Sequence, residues 1–124
     1  MLGLNTVDRL YLYRGVVDFR KGFDGLCGRV RIEIGMDPMS GDVFIFLNRG
    51  RNRIKLLRWE YDGFAVYHKR LEKGCMEVPR GKRTGTQSLN YAQLAMILKG
   101  ISLEQRGHKP RFTIVEKKPL FTSS

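Results

Sequence analysis

The sequence predicts an α+β fold: an antiparallel sheet of four to five strands with two helices packed on it, in the order β-α-β-β-β-(β)-α. Three observations predict it. Apolar residues recur at helical spacing in two separate stretches, after Asp18 and after Asn90. Between them, three β-prone runs follow one another through connections short enough for hairpins, which join antiparallel strands. The chain has 124 residues, of which 42% are hydrophobic and 28% charged, so it suits one domain with one adequate core.

In order along the chain, Leu10-Tyr11-Leu12-Tyr13 is a β-prone run closed by Arg14-Gly15, the first strand. Asp18 then caps a helix, its carboxylate accepting from free backbone N–H groups. Phe19, Phe23, Leu26, Cys27, Val30 and Ile34 form the buried stripe of that helix. Gly22, Gly25 and Gly28 lie within it, and each costs about 1 kcal/mol relative to alanine. Close approach of another backbone would account for them, as would close approach of a partner.

Asp37-Pro38-Met39-Ser40-Gly41 has the composition of a tight turn. Strands are expected over Val43 to Leu47, Arg53 to Glu60 and Gly63 to Leu71, with a shorter one over Cys75 to Val78 that stops at Pro79. Residues 80–87 read as a basic loop. Asn90 and Gln93 are spaced as a capping box, Leu94, Ile97, Leu98 and Ile101 supply a buried helix face, and Gly100 marks its stop. Residues 7–103 therefore read as a single α+β domain and 104–124 as a basic C-terminal tail, with one β-prone run at Phe112 to Val115.

Charge narrows the function. Lys and Arg number 23 against 12 Asp and Glu, a net charge of +11. Residues 1–48 are neutral overall, 49–83 carry +7 and 84–124 carry +4. Such concentration reads as an electrostatic footprint for a polyanion, DNA above all. Arg49, Arg51, Arg53 and Lys55 alternate from a hairpin connection into a strand, so a basic row is expected on one face. Lys69 and Arg70 on the next strand and Lys82 and Arg83 in the following loop extend it. Charge-assisted arginine donors on a partly rigid frame suit phosphates.

Other classes fit less well. The acids have ready uses as cap and turn residues, so a nuclease acting through Asp18, Asp24 and Asp42 ranks last, and no catalytic residue is assigned. Cys27, Cys75, His68 and His108 lack zinc spacing; no metal, cofactor or small-molecule substrate is expected, and the cysteines read as reduced thiols. No apolar run approaches a membrane span, and Met1 to Thr6 lacks a secretion signal's layout, so the expected location is the cytoplasm.

The segment Val17-Asp18-Phe19-Arg20-Lys21-Gly22-Phe23-Asp24-Gly25-Leu26 resembles the "DxRKGxDGL" motif of the TnpB accessory proteins of bacterial insertion sequences numbered sixty-six, their second open reading frame products. The resemblance continues through Asp37-Pro38, Val43 to Phe46, Asn48-Arg49, Arg53 to Leu57, Trp59, Asp62-Gly63-Phe64 and Lys69 to Glu72, then Gly74, Pro79, Gln93-Leu94 and Gly100-Ile101, spanning roughly residues 9–103. Glu60 departs from it, standing where that family commonly has Asp. The resemblance implies a non-catalytic helper of transposition, encoded beside a separate transposase, and carries over no catalytic residues. Two partners follow as expectations. One is DNA, held by the basic residues above. The other is the transposase, docked on Asp18, Arg20, Lys21, Gly22, Asp24 and Gly25.

Overall fold

A computed structural model describes residues 3–81 and 84–100. Among these, β1 (Leu10–Val16), β2 (Val43–Leu47), β3 (Arg53–Trp59), β4 (Phe64–Arg70) and β5 (Thr86–Leu89) form one sheet in the spatial order β4-β3-β2-β1-β5. The fold is α+β, with the element order the sequence predicts.

Two details correct the expectation. The sheet is mixed: β2–β3, β3–β4 and β1–β5 are antiparallel, but β1 and β2 run parallel, with Leu10 opposite Val43 and Leu12 opposite Ile45. The reason is the helical segment between them, which carries the chain back across one face, as a parallel pair requires. Second, the fifth strand is Thr86–Leu89, which begins inside the stretch read as loop and runs past its end, whereas Cys75 to Val78 makes only an isolated bridge at Cys75. Thr-Gln-Ser-Leu has little apolar alternation to announce a strand. It is held by its backbone ladder to the free edge of β1, continued by Arg14 N–H donating to the Gly85 carbonyl at 2.8 Å.

The expected first helix is present in three pieces. A 3₁₀ turn covers Phe19–Lys21, α1 covers Gly22–Gly28, and a π-helical stretch covers Arg29–Ile34, ending at Gly35 in the left-handed region (φ 75°). Gly22 joins the first two pieces at φ 71°, ψ −170°, a conformation essentially reserved for glycine. Leu26, Cys27 and Val30 pack from this segment onto Phe44, Phe46 and Leu57 of the sheet, with Phe19 and Ile34 partly buried beside them. Burial pushes the Cys27 thiol above its ordinary value.

On the other face, α2 (Tyr91–Lys99) seals Leu10, Leu12, Val43, Ile45, Ile54 and Leu56 with Leu94, Ile97 and Leu98. The predicted capping box is formed, Asn90 Oδ1 accepting from Gln93 N–H at 2.8 Å and Gln93 Oε1 from Asn90 N–H at 2.9 Å. Such a cap contributes about 1 kcal/mol, against about 1.5–3 kcal/mol for each buried aliphatic side chain, so packing holds α2 and the cap sets where it begins. With helices on both faces, every residue of β2 is buried. No helix among the described residues is long and apolar enough to cross a membrane.

Candidate functional site

The two faces sort the basic residues. Alternation along β3 sends Ile54 and Leu56 to the α2 face, and therefore Arg53 and Lys55 to the α1 face. Across the β3–β4 ladder Arg53 is paired with Arg70 and Lys55 with His68, placing these four on one side. Lys69 is paired with Ile54 and points to the opposite side, where its Nζ donates to the Leu98 carbonyl at the C-terminal end of α2, at 2.7 Å. The expectation of one row containing both Lys69 and Arg70 is thus corrected. Neighbours in a strand face opposite ways, and Lys69 closes a helix end.

Lys55 and His68 brace the turn that follows β1. Lys55 Nζ donates to the Phe19 carbonyl at 3.4 Å and lies 4.8 Å above the Phe19 ring, while the His68 ring meets Phe19 edge-on at 5.9 Å. Burial, and then the charges of Lys55, Arg53 and Arg70, hold the His68 imidazole below its ordinary value. Asp18 caps the turn by accepting from Arg20 N–H at 3.0 Å, and grips the Arg20 guanidinium through Nε at 3.0 Å and Nη2 at 2.9 Å.

Beside this turn stands the β2–β3 connection. Asn48 stiffens it, donating through Nδ2 to Asn52 Oδ1 at 2.8 Å and accepting from Arg53 N–H at 3.0 Å. Between the two loops opens a pocket of about 510 Å³, lined by Arg20, Arg29, Arg49 and Arg53 together with Asp18, Asn48 and Phe19. Four arginines and one aspartate thus line a single recess. Arg29 is matched by Glu33 at 3.1 Å and by Tyr13 Oη at 3.3 Å, and the Tyr13 hydroxyl donates in turn to Glu33. That hydrogen bond is the main reason the Glu33 carboxyl is held low and the Tyr13 hydroxyl is pushed up. Among the described residues Arg49 and Arg53 have no carboxylate partner.

The structure therefore joins the two groups of residues singled out separately in the sequence, Asp18 and Arg20 from the first loop with Arg49 and Arg53 from the second. Arg51 is not part of that row. Its left-handed backbone (φ 55°) interrupts the alternation, and it lines a neighbouring cavity of about 190 Å³ with Tyr13 and Arg14. Gly22 and Gly25 line a third cavity, of about 260 Å³, with Gly28 and Ile32, and Asp24 is exposed at the start of α1. Lys82, Arg83, the 104–124 tail and the side chain of Lys21 lie outside the described residues. Arg29 was missed in the sequence; its i,i+4 spacing to Glu33 marks it only as an ordinary helix pair.

The acids do not converge. Parallel pairing puts Asp42, which precedes β2 and accepts from Arg9 Nε at 2.9 Å, at the opposite end of the sheet from Asp18, which follows β1. Among the described residues no group of three or more His, Cys, Asp and Glu side chains is placed to hold a metal ion.

A family model described as IS66 Orf2 like protein matches residues 8–108. Two proteins of Sinorhizobium fredii (strain NBRC 101917 / NGR234) are similar to the chain. "Uncharacterized protein y4hO" is 30% identical over 93 residues, covering 75% of this chain and 80% of the relative. "Uncharacterized protein y4jC" is 27% identical over 110 residues, covering 89% of this chain and 93% of the relative. No solved structure matches the chain.

Proposed function

The chain belongs to the IS66 Orf2-like family of insertion-sequence accessory proteins, and from that premise we propose that it is a non-catalytic helper of transposition that holds DNA by its phosphates on the α1 face of the sheet. One observation carries this reading: four arginines from three separate parts of the chain converge on one pocket, and two of them lack an acidic partner among the described residues. Uncompensated guanidinium groups on a braced frame are suited to charge-assisted contacts with phosphate oxygens. Lys55 and His68 support the loop, and Arg70 adds charge beside Arg53.

The test is retention of labelled duplex across a salt series. Phosphate contacts release counterions, so the logarithm of affinity should fall with the logarithm of salt by about 0.9 per contact. Replacing Arg49 and Arg53 with Gln should flatten that slope by about 1 each. Undiminished retention after charge reversal at both positions sinks the proposal.

A second reading is docking on the separate transposase. It is favoured by one observation: Ile32 stands 82% exposed at the rim of the cavity lined by Gly22, Gly25 and Gly28. It predicts co-purification with the transposase that survives nuclease and is lost in Ile32→Glu, a substitution on the surface that leaves the core intact.

A further inference from the structure

The arginine pocket is concave, and a concave site is a poor match for the smooth run of an intact backbone. A duplex presents phosphates as a continuous ridge, one charge per about 1.7 Å of axis, which rows of exposed cations follow. Here four arginines line a half-open recess of about 510 Å³ between two loops, a volume within the roughly 300–1,000 Å³ range of small-ligand pockets. Resting on the DNA-phosphate reading above, we propose that this recess takes a terminal phosphomonoester, the phosphorylated end of a DNA strand.

The charges point the same way. Asp18 matches Arg20 and Glu33 matches Arg29, which leaves Arg49 and Arg53 as the two cations of the pocket with no carboxylate partner among the described residues. A phosphomonoester carries about −1.5 to −2 at pH 7, whereas a backbone diester carries a single charge. Two guanidinium forks therefore balance an end more closely than they balance a link in the chain. Arg53 also faces Arg70 across the ladder, and like charges directly opposite are unfavourable until an anion comes between them. The site is formed in advance, with Asn48 holding the backbone at Arg53 and Lys55 holding Phe19.

The test uses the full chain and short labelled single strands of one sequence, ending in a 5′-phosphate, a 3′-phosphate or hydroxyls only, with binding followed by fluorescence anisotropy at matched salt. A phosphorylated end should bind about tenfold more tightly than the hydroxyl strand. Arg49→Gln and Arg53→Gln should each bring the phosphorylated strand towards the hydroxyl value. Among the described residues neither side chain has an acidic partner to lose, and circular dichroism checks that both variants are folded. A nucleoside monophosphate that competes only at far higher concentration supports a DNA end as the ligand. One that competes as well as the phosphorylated strand keeps the phosphomonoester site and makes its source a free nucleotide. Equal affinity for all three strands overturns the inference while leaving DNA binding intact; no binding of any strand at low salt overturns the inference, and labelled duplex that is likewise not retained overturns the DNA reading as well.

Discussion

Arg53 and Arg70 stand directly opposite one another across the β3–β4 ladder, on the face covered by α1. Arg70 is 3.8 Å from Glu72, in an exposed and weak pairing, while Arg53 has no acidic partner among the described residues. A like-charge pair of this kind works against the hairpin by a few tenths to about 1 kcal/mol.

Replacing Arg53 with Glu turns repulsion into attraction. The expected result is a gain of about 0.2–1 kcal/mol in folding stability by urea denaturation, together with weaker DNA retention. The opposite signs are the point of the experiment. If stability and retention both fall, Arg53 is a structural residue and the proposed site is misplaced.

Lys69 supplies the control. It donates to the last turn of α2 rather than to the pocket, so Lys69→Ala should cost about 1 kcal/mol of stability and leave DNA retention unchanged. A marked loss of retention in the folded variant would show that phosphate contacts reach the α2 face as well.

His68 gives a pH signature. Its imidazole is held below the ordinary 6.5 by burial and by Lys55, Arg53 and Arg70, so the fold favours the neutral ring. The associated stability is fully present above pH 6.5 and is lost as pH falls through the lower folded value, because the unfolded chain takes up the proton first. His68→Gln should flatten stability over that window. An anion seated beside Arg53 should shift the imidazole titration upward, by linkage, which NMR of the ring protons can follow. A titration unmoved by saturating DNA places the phosphates elsewhere.

The glycines of the first helical segment should respond oppositely to alanine. Gly22 has a backbone conformation essentially reserved for glycine, so Gly22→Ala should cost about 1–3 kcal/mol. Gly28 is in ordinary helical geometry (φ −61°, ψ −39°), and a Cβ there would meet nothing within 4 Å. Gly28→Ala should therefore stabilise the chain by about 0.5–1 kcal/mol. Thermal denaturation of the two variants checks both signs, and equal losses would show that α1 packs against more than the described residues.

Much of the fold was legible. The stripe of Leu26, Cys27 and Val30, the Asp18 cap, the Asn90–Gln93 capping box and the consecutive strands β2 to β4 follow from periodicity and cap chemistry, which are local. What escaped was settled at long range. The parallel pairing of β1 with β2 depends on the crossover, and β5 exists because β1 has a free edge, not because Thr86 to Leu89 reads as a strand. In the recess, Arg49 and Arg53 belong to the basic row read from charge density, and Asp18 and Arg20 to the motif. Their meeting depends on how the β1–α1 connection lies against the β2–β3 turn, which no spacing encodes. Arg51 was misjudged because alternation was extended into a left-handed turn.

The place of β1 has a consequence for synthesis on the ribosome. It is made first among the strands, yet it sits between β2 and β5, and its Leu10 and Leu12 share a core with Leu94 and Ile97. The nascent chain can pair the β2–β3–β4 hairpins as they emerge, but the inner face of β1 stays uncovered until residues near 97 have left the exit tunnel. Contacts so distant in sequence slow folding, and a message cut short before β5 yields a chain with an open edge and a bare apolar face, the form most prone to aggregate and be degraded.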